Sequence, residues 1–326
     1  MEVAPGIHQI RFTMPSNPTF SVFAYLIASD HEAALVDAGW GTPGAFEELR
    51  TQVEQAGVSL KDIRTVVITH LHPDHFGLAG RIKHETNARI IFHELEKPFV
   101  ETRYRSYSKL LDAMADWLLS HGVPEDEMPE LQTASVPARR FVAEVDPDAV
   151  VVGGEVLSLG GQDWTVIHTP GHTPGHIVLF NPARRLLISG DHILPGITPN
   201  ISLHPEAGEN PLGDYLASLH KLADLPVDLV LPAHEHVFTG LSQRIREIEA
   251  HHRERLDQMV AALNDEPKTA YAVAASVRWN VGEFSSFNAL TRRAAVMETL
   301  AHLEYLRRQG AVEKVLRNGV FHYRRR

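Results

Sequence analysis

The chain has 326 residues, 44% hydrophobic and 22% charged, the proportions of an ordinary globular protein of about two domains. It holds no cysteine, which excludes disulfides, thiolate nucleophiles, cysteine-ligated zinc and iron–sulfur clusters, while its 20 histidines leave imidazole–carboxylate metal sites open. A formal charge of −10 argues against non-specific nucleic-acid binding by the whole chain, and no apolar run approaches the ~18–20 residues of a membrane span.

The first residues, Met1-Glu2-Val3-Ala4-Pro5, have neither the basic nor the apolar region of a secretory signal, so a cytoplasmic protein is expected. From there the pattern predicts strands over 7–12, 20–28, 33–37, 64–69, 88–93, 149–159, 164–168, 176–180, 185–189 and 229–232, several of them bounded by Gly, Pro or Asn. Helices are predicted over 43–56, 75–86, 97–121 and 211–222. Strands alternating with helices give an α/β class. Polar–apolar alternation is weak in several strands, as expected where helices cover the sheets. Residues 99–150 interrupt the pattern with a helix carrying Arg103, Tyr104, Arg105 and Tyr107, then a connector over 122–147. This is an insertion that either packs or shapes a pocket.

At residue 241 the composition changes. Residues 241–326 hold 15 Lys and Arg against 10 Asp and Glu, and residues 1–240 hold 16 against 31, so the two parts carry +5 and −15. A domain boundary is placed there, giving a domain over 1–240 and a second over 241–326. Leu241, Ile245, Ile248, His252, Leu256, Met259 and Leu263 recur on one helical face, and Pro267 stops that helix. Further helices are predicted over 269–277 and 288–309. Strands over 312–317 and 320–324 flank Asn318-Gly319, a strong hairpin signal. Helices followed by a two-stranded hairpin resemble a winged-helix module.

The densest chemistry lies in Thr69-His70-Leu71-His72-Pro73-Asp74-His75, between an apolar strand and a helix. Four ligand-type side chains in six residues can converge when a loop containing Pro73 re-aims them. Three more signals end strands downstream: Thr169-Pro170-Gly171-His172-Thr173-Pro174-Gly175-His176, Ser189-Gly190-Asp191-His192 and Pro232-Ala233-His234-Glu235-His236. An early Asp37 also ends a strand. In this order the set resembles the metallo-β-lactamase superfamily, over about residues 1–240.

The resemblance implies a four-layer αβ/βα metallo-β-lactamase sandwich with the metal site at one edge, followed here by the helical, winged-helix-like domain. It implies that His70, His72 and His172 hold one divalent ion, that Asp74, His75 and His234 hold a second, and that Asp191 bridges them. Zinc suits such a set, and iron or manganese would fit it as well. Asp74 and Asp191 would also orient a metal-bridging hydroxide, so no serine or cysteine nucleophile is required. His176 and His192 are expected to support the ligands, His236 to compete with His234 and lose, His93 to stay out of the cleft, and Asp37 to buttress the site through hydrogen bonds.

The Thr-Pro-Gly-His-Thr-Pro-Gly-His segment looks like that of glyoxalase-II-like hydrolases, so the expected activity is hydrolysis of a small thioester, ester or lactone. The alternatives are a metal-dependent phosphodiesterase or ribonuclease, a mononuclear-iron sulfur dioxygenase, and a non-enzymatic winged-helix binding protein. The partner expected is a small-molecule substrate. Nucleic acid is disfavoured by the −15 catalytic part, no membrane is expected, and the C-terminal helices would either pack on the catalytic part or form a homo-oligomer interface.

Overall fold

The computed structural model describes residues 1–14, 17–29, 32–263 and 266–326. Among the described residues, fourteen strands form three sheets. The first sheet takes β1 (Glu2–Ala4), β2 (Ile7–Met14), β3 (Asn17–Ala28), β4 (Ala33–Val36), β5 (Ile63–Val67), β6 (Arg89–His93) and β7 (Ala149–Val151) in that order. The second takes β8 (Val156–Leu159), β9 (Gln162–His168), β10 (Ile177–Asn181), β11 (Leu186–Gly190) and β12 (Leu229–Pro232), ordered β12-β11-β10-β9-β8. β13 (Val312–Arg317) and β14 (Val320–Arg325) form the C-terminal hairpin.

The helices are α1 (Ala45–Gln55), α2 (Pro73–Phe76), α3 (Ala79–Thr86), α4 (Lys97–Phe99), α5 (Tyr107–Ser120), α6 (Met128–Thr133), α7 (Val136–Arg139), α8 (Pro211–Leu222), α9 (Leu241–Ala262), α10 (Ala270–Ser276) and α11 (Ala289–Arg308).

Side-chain alternation along the strands explains the layers. In β3, Val22, Ala24 and Leu26 face one cluster with Phe46, Leu49 and Val53 of α1. Phe23, Tyr25 and Ile27 face the opposite way, into a cluster shared with Trp164, Ile177 and Leu179 of the second sheet. In β10, Val178 and Phe180 turn outward onto Leu212, Tyr215 and Leu219 of α8. Both faces of the first two sheets are therefore apolar, which is why polar–apolar alternation is faint in the sequence. Helix, sheet, sheet and helix stack as the expected four layers. Ile245 of α9, Val273 of α10 and Leu300 of α11 lie in the same outer cluster as α8.

Three predicted elements differ. The strand over 149–159 is two, because Gly153 and Gly154 take φ 104° and 99° and carry the chain from β6's neighbour in one sheet to β9's neighbour in the other. Such angles favour glycine and break a regular ladder. The helix over 97–121 is interrupted by a π turn at Val100–Arg105 and by Ser106 at φ −106°, ψ 51°. The helix over 75–86 divides into α2 and α3. The hairpin holds: Arg317 pairs with Val320 across Asn318 (φ 50°) and Gly319 (φ 83°), the left-handed pair that a two-residue turn requires. Among the described residues no helix is long and apolar enough to cross a membrane.

Candidate metal centre

Parallel pairing of β4, β5 and β6, and of β11 with β12, points their carboxyl ends to one edge of the molecule, where loops of both sheets meet. His72 caps α2 in extended conformation (φ −78°, ψ 153°), and Pro73 at the first helical position starts the turn that brings Asp74 and His75 back over His70. His172 arrives on the loop after β9, Asp191 follows β11, and His234 follows β12.

Two groups of ligand-type atoms result: His70, His72, His172 and Asp191 in one, Asp74, His75 and His234 in the other, each within 4.8 Å of one another. His72 Nδ1 lies 3.0 Å from Nε2 of both His70 and His172, and Asp191 Oδ2 lies 3.9 and 3.5 Å from those same nitrogens. In the second group His75 Nε2 and His234 Nε2 stand 3.8 and 3.6 Å from Asp74 Oδ2, and 3.4 and 3.3 Å from Asp191 Oδ1. A tetrahedral ion bound at ~2.0–2.1 Å spaces its ligands about 3.3 Å apart, so both groups have the span of one ion. The two oxygens of Asp191 are divided between them.

Hydrogen bonds behind the imidazoles set their tautomers. His75 Nδ1 donates to Asp37 Oδ2 at 2.8 Å, His172 Nδ1 to the Asn200 carbonyl at 3.0 Å and His234 Nδ1 to the Ser21 carbonyl at 2.9 Å. Thr69 Oγ1 donates to Asp37 Oδ2, so it accepts from His70 Nδ1 at 3.1 Å. In all four rings Nε2 faces the centre, the arrangement a metal needs. Among the described residues His75 Nε2 and Asp191 Oδ1 are buried with no hydrogen-bond partner, although they aim at the same space. Unsatisfied buried polar atoms of this kind are what a cation would satisfy, so the donor set fits divalent metal.

Electrostatics agree. Burial, then neighbouring imidazoles, hold His70 and His72 well below the ordinary histidine value, and burial lowers His172. Neutral imidazole is the ligand form. Burial also opposes charge on His75, but Asp191, Asp37 and Asp74 outweigh it and raise its pKa well above the ordinary range. Burial would raise Asp191, yet His234 and His75 keep it well below the usual carboxylate value. The carboxylates that keep a proton on His75 would equally favour a cation in its place.

All seven residues expected from the sequence are brought together. Asp37 is the expected buttress: besides His75 it accepts from Thr69 N at 2.7 Å and from Thr69 Oγ1 at 2.9 Å. His176 stands behind Asp191, accepting from its backbone N–H at 3.2 Å. His192 is fully buried against Tyr215, both ring nitrogens without hydrogen-bond partners among the described residues, and burial lowers it to about 3. His236 is exposed. His93 stacks on His168 at 4.1 Å and accepts from Leu95 N, away from the two groups.

The sequence reading missed Glu96. Fully buried, it accepts from Leu71 N and from Gly175 N, each at 2.9 Å, and so clamps the His70–His75 loop to the His172 loop. Tyr104 completes the hold by donating to the Leu71 carbonyl at 2.7 Å. The insertion therefore shapes the site. Its Arg103, Tyr104 and Tyr107 line a cavity of about 180 Å³ that has His72 in its wall.

The family model of the metallo-β-lactamase superfamily matches residues 17–234. The probable metallo-hydrolase YqjP of Bacillus subtilis is 30% identical over 302 residues, covering 89% of both chains. The hydroxyacylglutathione hydrolase GloC of Haemophilus influenzae is 26% identical, over 67% of this chain and 86% of its own. The acyl-coenzyme A thioesterase MBLAC2 of Bos taurus is 27% identical, over 66% and 73%. Among solved structures, the metallo-β-lactamase family protein TTHA1429 of Thermus thermophilus superposes along the whole of both chains with a TM-score of 0.85 and 33% identity. The chain belongs to the metallo-β-lactamase superfamily and is a metal-dependent hydrolase.

Proposed function

We propose that the protein hydrolyses a small thioester, with esters and lactones as related substrates, at a centre of two divalent ions. The observation that carries this reading is the division of Asp191, whose Oδ2 faces the His70–His72–His172 group while Oδ1 faces His75 and His234. One carboxylate shared by two complete groups has little use at a single ion. The relatives named for hydroxyacylglutathione and acyl-coenzyme A support the thioester class.

His70, His72, His172 and Asp191 would hold the first ion, and Asp74, His75, His234 and Asp191 the second. Zinc, iron or manganese suits these donors. Two such ions supply polarisation of a carbonyl oxygen and a water acidified to pKa ~7. The chain does the rest. Asp37, Thr69, Asn200 and Ser21 fix the imidazoles, and Glu96 holds the two ligand loops in register. The Asp74 carboxyl, at the mouth of the second group, is placed to accept a hydrogen bond from the attacking water and orient it. In the net reaction water's oxygen bonds the acyl carbon, the carbon–sulfur bond breaks and the thiol sulfur takes the proton.

The test is a panel of thioesters, esters, lactones, phosphodiesters and RNA, offered to protein loaded with zinc, iron or manganese. Thioester turnover should dominate. Asp74→Ala and His172→Ala should abolish it while unfolding midpoints stay near the parent's, since Asp74 lies in the one-turn helix α2 and His172 on a loop, and neither belongs to the apolar clusters. Wild-type turnover by either variant removes that residue from the mechanism, and a preference for RNA or phosphodiesters overturns the thioester reading.

A further inference from the structure

The cavity beside His72 carries charge that the chain does not neutralise. Arg293 of α11 is only 7% exposed, donates Nη1 to the carbonyls of Leu131 and Gln132 at 3.1 and 3.3 Å, and has no ion pair among the described residues. Arg139, too, has no ion pair among the described residues: its Nε donates to the Arg103 carbonyl at 2.9 Å, its Nη2 to the Tyr104 carbonyl, and its guanidinium covers the Tyr107 ring at 4.3 Å. Among the described residues one carboxylate, Glu206, lines the cavity, and Arg103 engages it at 2.8 Å. Two cations remain over. Removing an unpaired charge from water is strongly unfavourable, and buried charges are ordinarily paired. Here the missing partner has room to enter from the cavity. Leu110, Met114 and Met297 provide apolar wall alongside.

We propose that this cavity receives the acyl part of the substrate and that the acyl group ends in a carboxylate, so that the preferred substrates are half-thioesters of short dicarboxylic acids. The proposal rests on the hydrolase reading above. Size assigns the acyl side: a cavity of about 180 Å³, against the about 150 Å³ that takes a benzene ring, has room for a short acyl chain and too little for a coenzyme-sized thiol. His72 forms one part of the wall and Arg293 another, so a carbonyl at the metal end and a carboxylate at the arginine end can be held together. A larger cavity of about 550 Å³ lies against another face of α11, and none of the seven ligand residues lines it.

The experiment uses metal-loaded protein and matched pairs: glutaryl against hexanoyl thioesters of N-acetylcysteamine, and acetyl thioesters of 3-mercaptopropionate against those of propanethiol. The glutaryl compound should exceed the hexanoyl one in kcat/KM by about tenfold or more, as loss of a charge-assisted contact implies. Free glutarate should inhibit competitively. Arg293→Met and Arg139→Gln should each pull the glutaryl-to-hexanoyl ratio toward one, chiefly through KM on glutaryl. Arg139→Gln is the fallback if loss of the Leu131 and Gln132 contacts prevents Arg293→Met from folding.

Equal or better hexanoyl turnover overturns the proposal, and so does a carboxylate preference confined to the thiol side. Absence of turnover across both pairs contradicts the hydrolase reading instead. Calorimetry with glutarate then decides the cavity's role: binding that Arg139→Gln weakens supports an acid-binding pocket, and no binding refutes it.

Discussion

Asp37 sits at φ 64°, a left-handed conformation that Asp and Asn tolerate better than other side chains. From there its two oxygens serve Thr69 N, Thr69 Oγ1 and His75 Nδ1. Asp37→Asn keeps the backbone preference but removes an acceptor and presents an amide N–H to a ring N–H or a hydroxyl. Metal affinity should fall about 10- to 100-fold, read by competition with a chromophoric chelator, and unchanged affinity would show that the buttress is dispensable. Glu96→Gln should act similarly, since an amide can accept from only one of Leu71 N and Gly175 N through its oxygen. Leaving the other buried N–H unpaired costs about 1–3 kcal/mol, which a denaturant midpoint would register, and a wild-type midpoint with wild-type metal affinity would dismiss the clamp. The seven ligand-type residues and Asp37 were legible because their types are clustered and end strands. Glu96, Asn200, Ser21 and Arg293 were not. They act through backbone groups up to 213 residues away or through a charge left unpaired, and neither leaves a local pattern.

Among the elements, the C-terminal hairpin is anchored to α11 by Glu304, which accepts from Lys314 Nζ at 2.9 Å, from Tyr323 Oη at 2.8 Å and from Arg307 Nε at 2.6 Å. Burial would raise its pKa, but these donors lower it from 4.5 to about 2. A carboxylate depressed on folding contributes stability that is fully present above its unfolded pKa and is lost as pH falls through the folded one. Stability should therefore drop between pH 4.5 and about 2, and Glu304→Gln should flatten that part of the curve in urea unfolding. A curve identical in parent and variant would remove Glu304 as the source. The hairpin itself could be read from Asn318-Gly319, whose conformational demand is local. The division of residues 149–159 between two sheets could not, because Val and Leu suit either sheet and only the paired glycines mark the crossing. Weak alternation correctly indicated covered sheets but gave no strand order.

Across the whole molecule, the outer cluster ties α8 and the second sheet to α9, α10 and α11 through fully buried Val178, Leu219, Ile245 and Leu300. Leu300→Ala should cost about 2–5 kcal/mol and lower the melting of the catalytic part together with that of the C-terminal helices. A melt in which tryptophan fluorescence from the buried Trp164 keeps the parent's midpoint would show that the two parts unfold separately. The basic C-terminus is expected to be structural: Arg324 already pairs with Glu313 at 2.8 Å, and changing Arg324, Arg325 and Arg326 to Glu should leave small-substrate turnover at the parent's level. Everything proposed for catalysis depends on two ions sharing Asp191. The direct measurement is metal content after saturation and desalting, combined with anomalous scattering from the same crystals. The dinuclear assignment requires two ions per chain, one against His70, His72 and His172, one against Asp74, His75 and His234, both in contact with Asp191. A single ion at saturation, or a second ion placed away from Asp191, would contradict it.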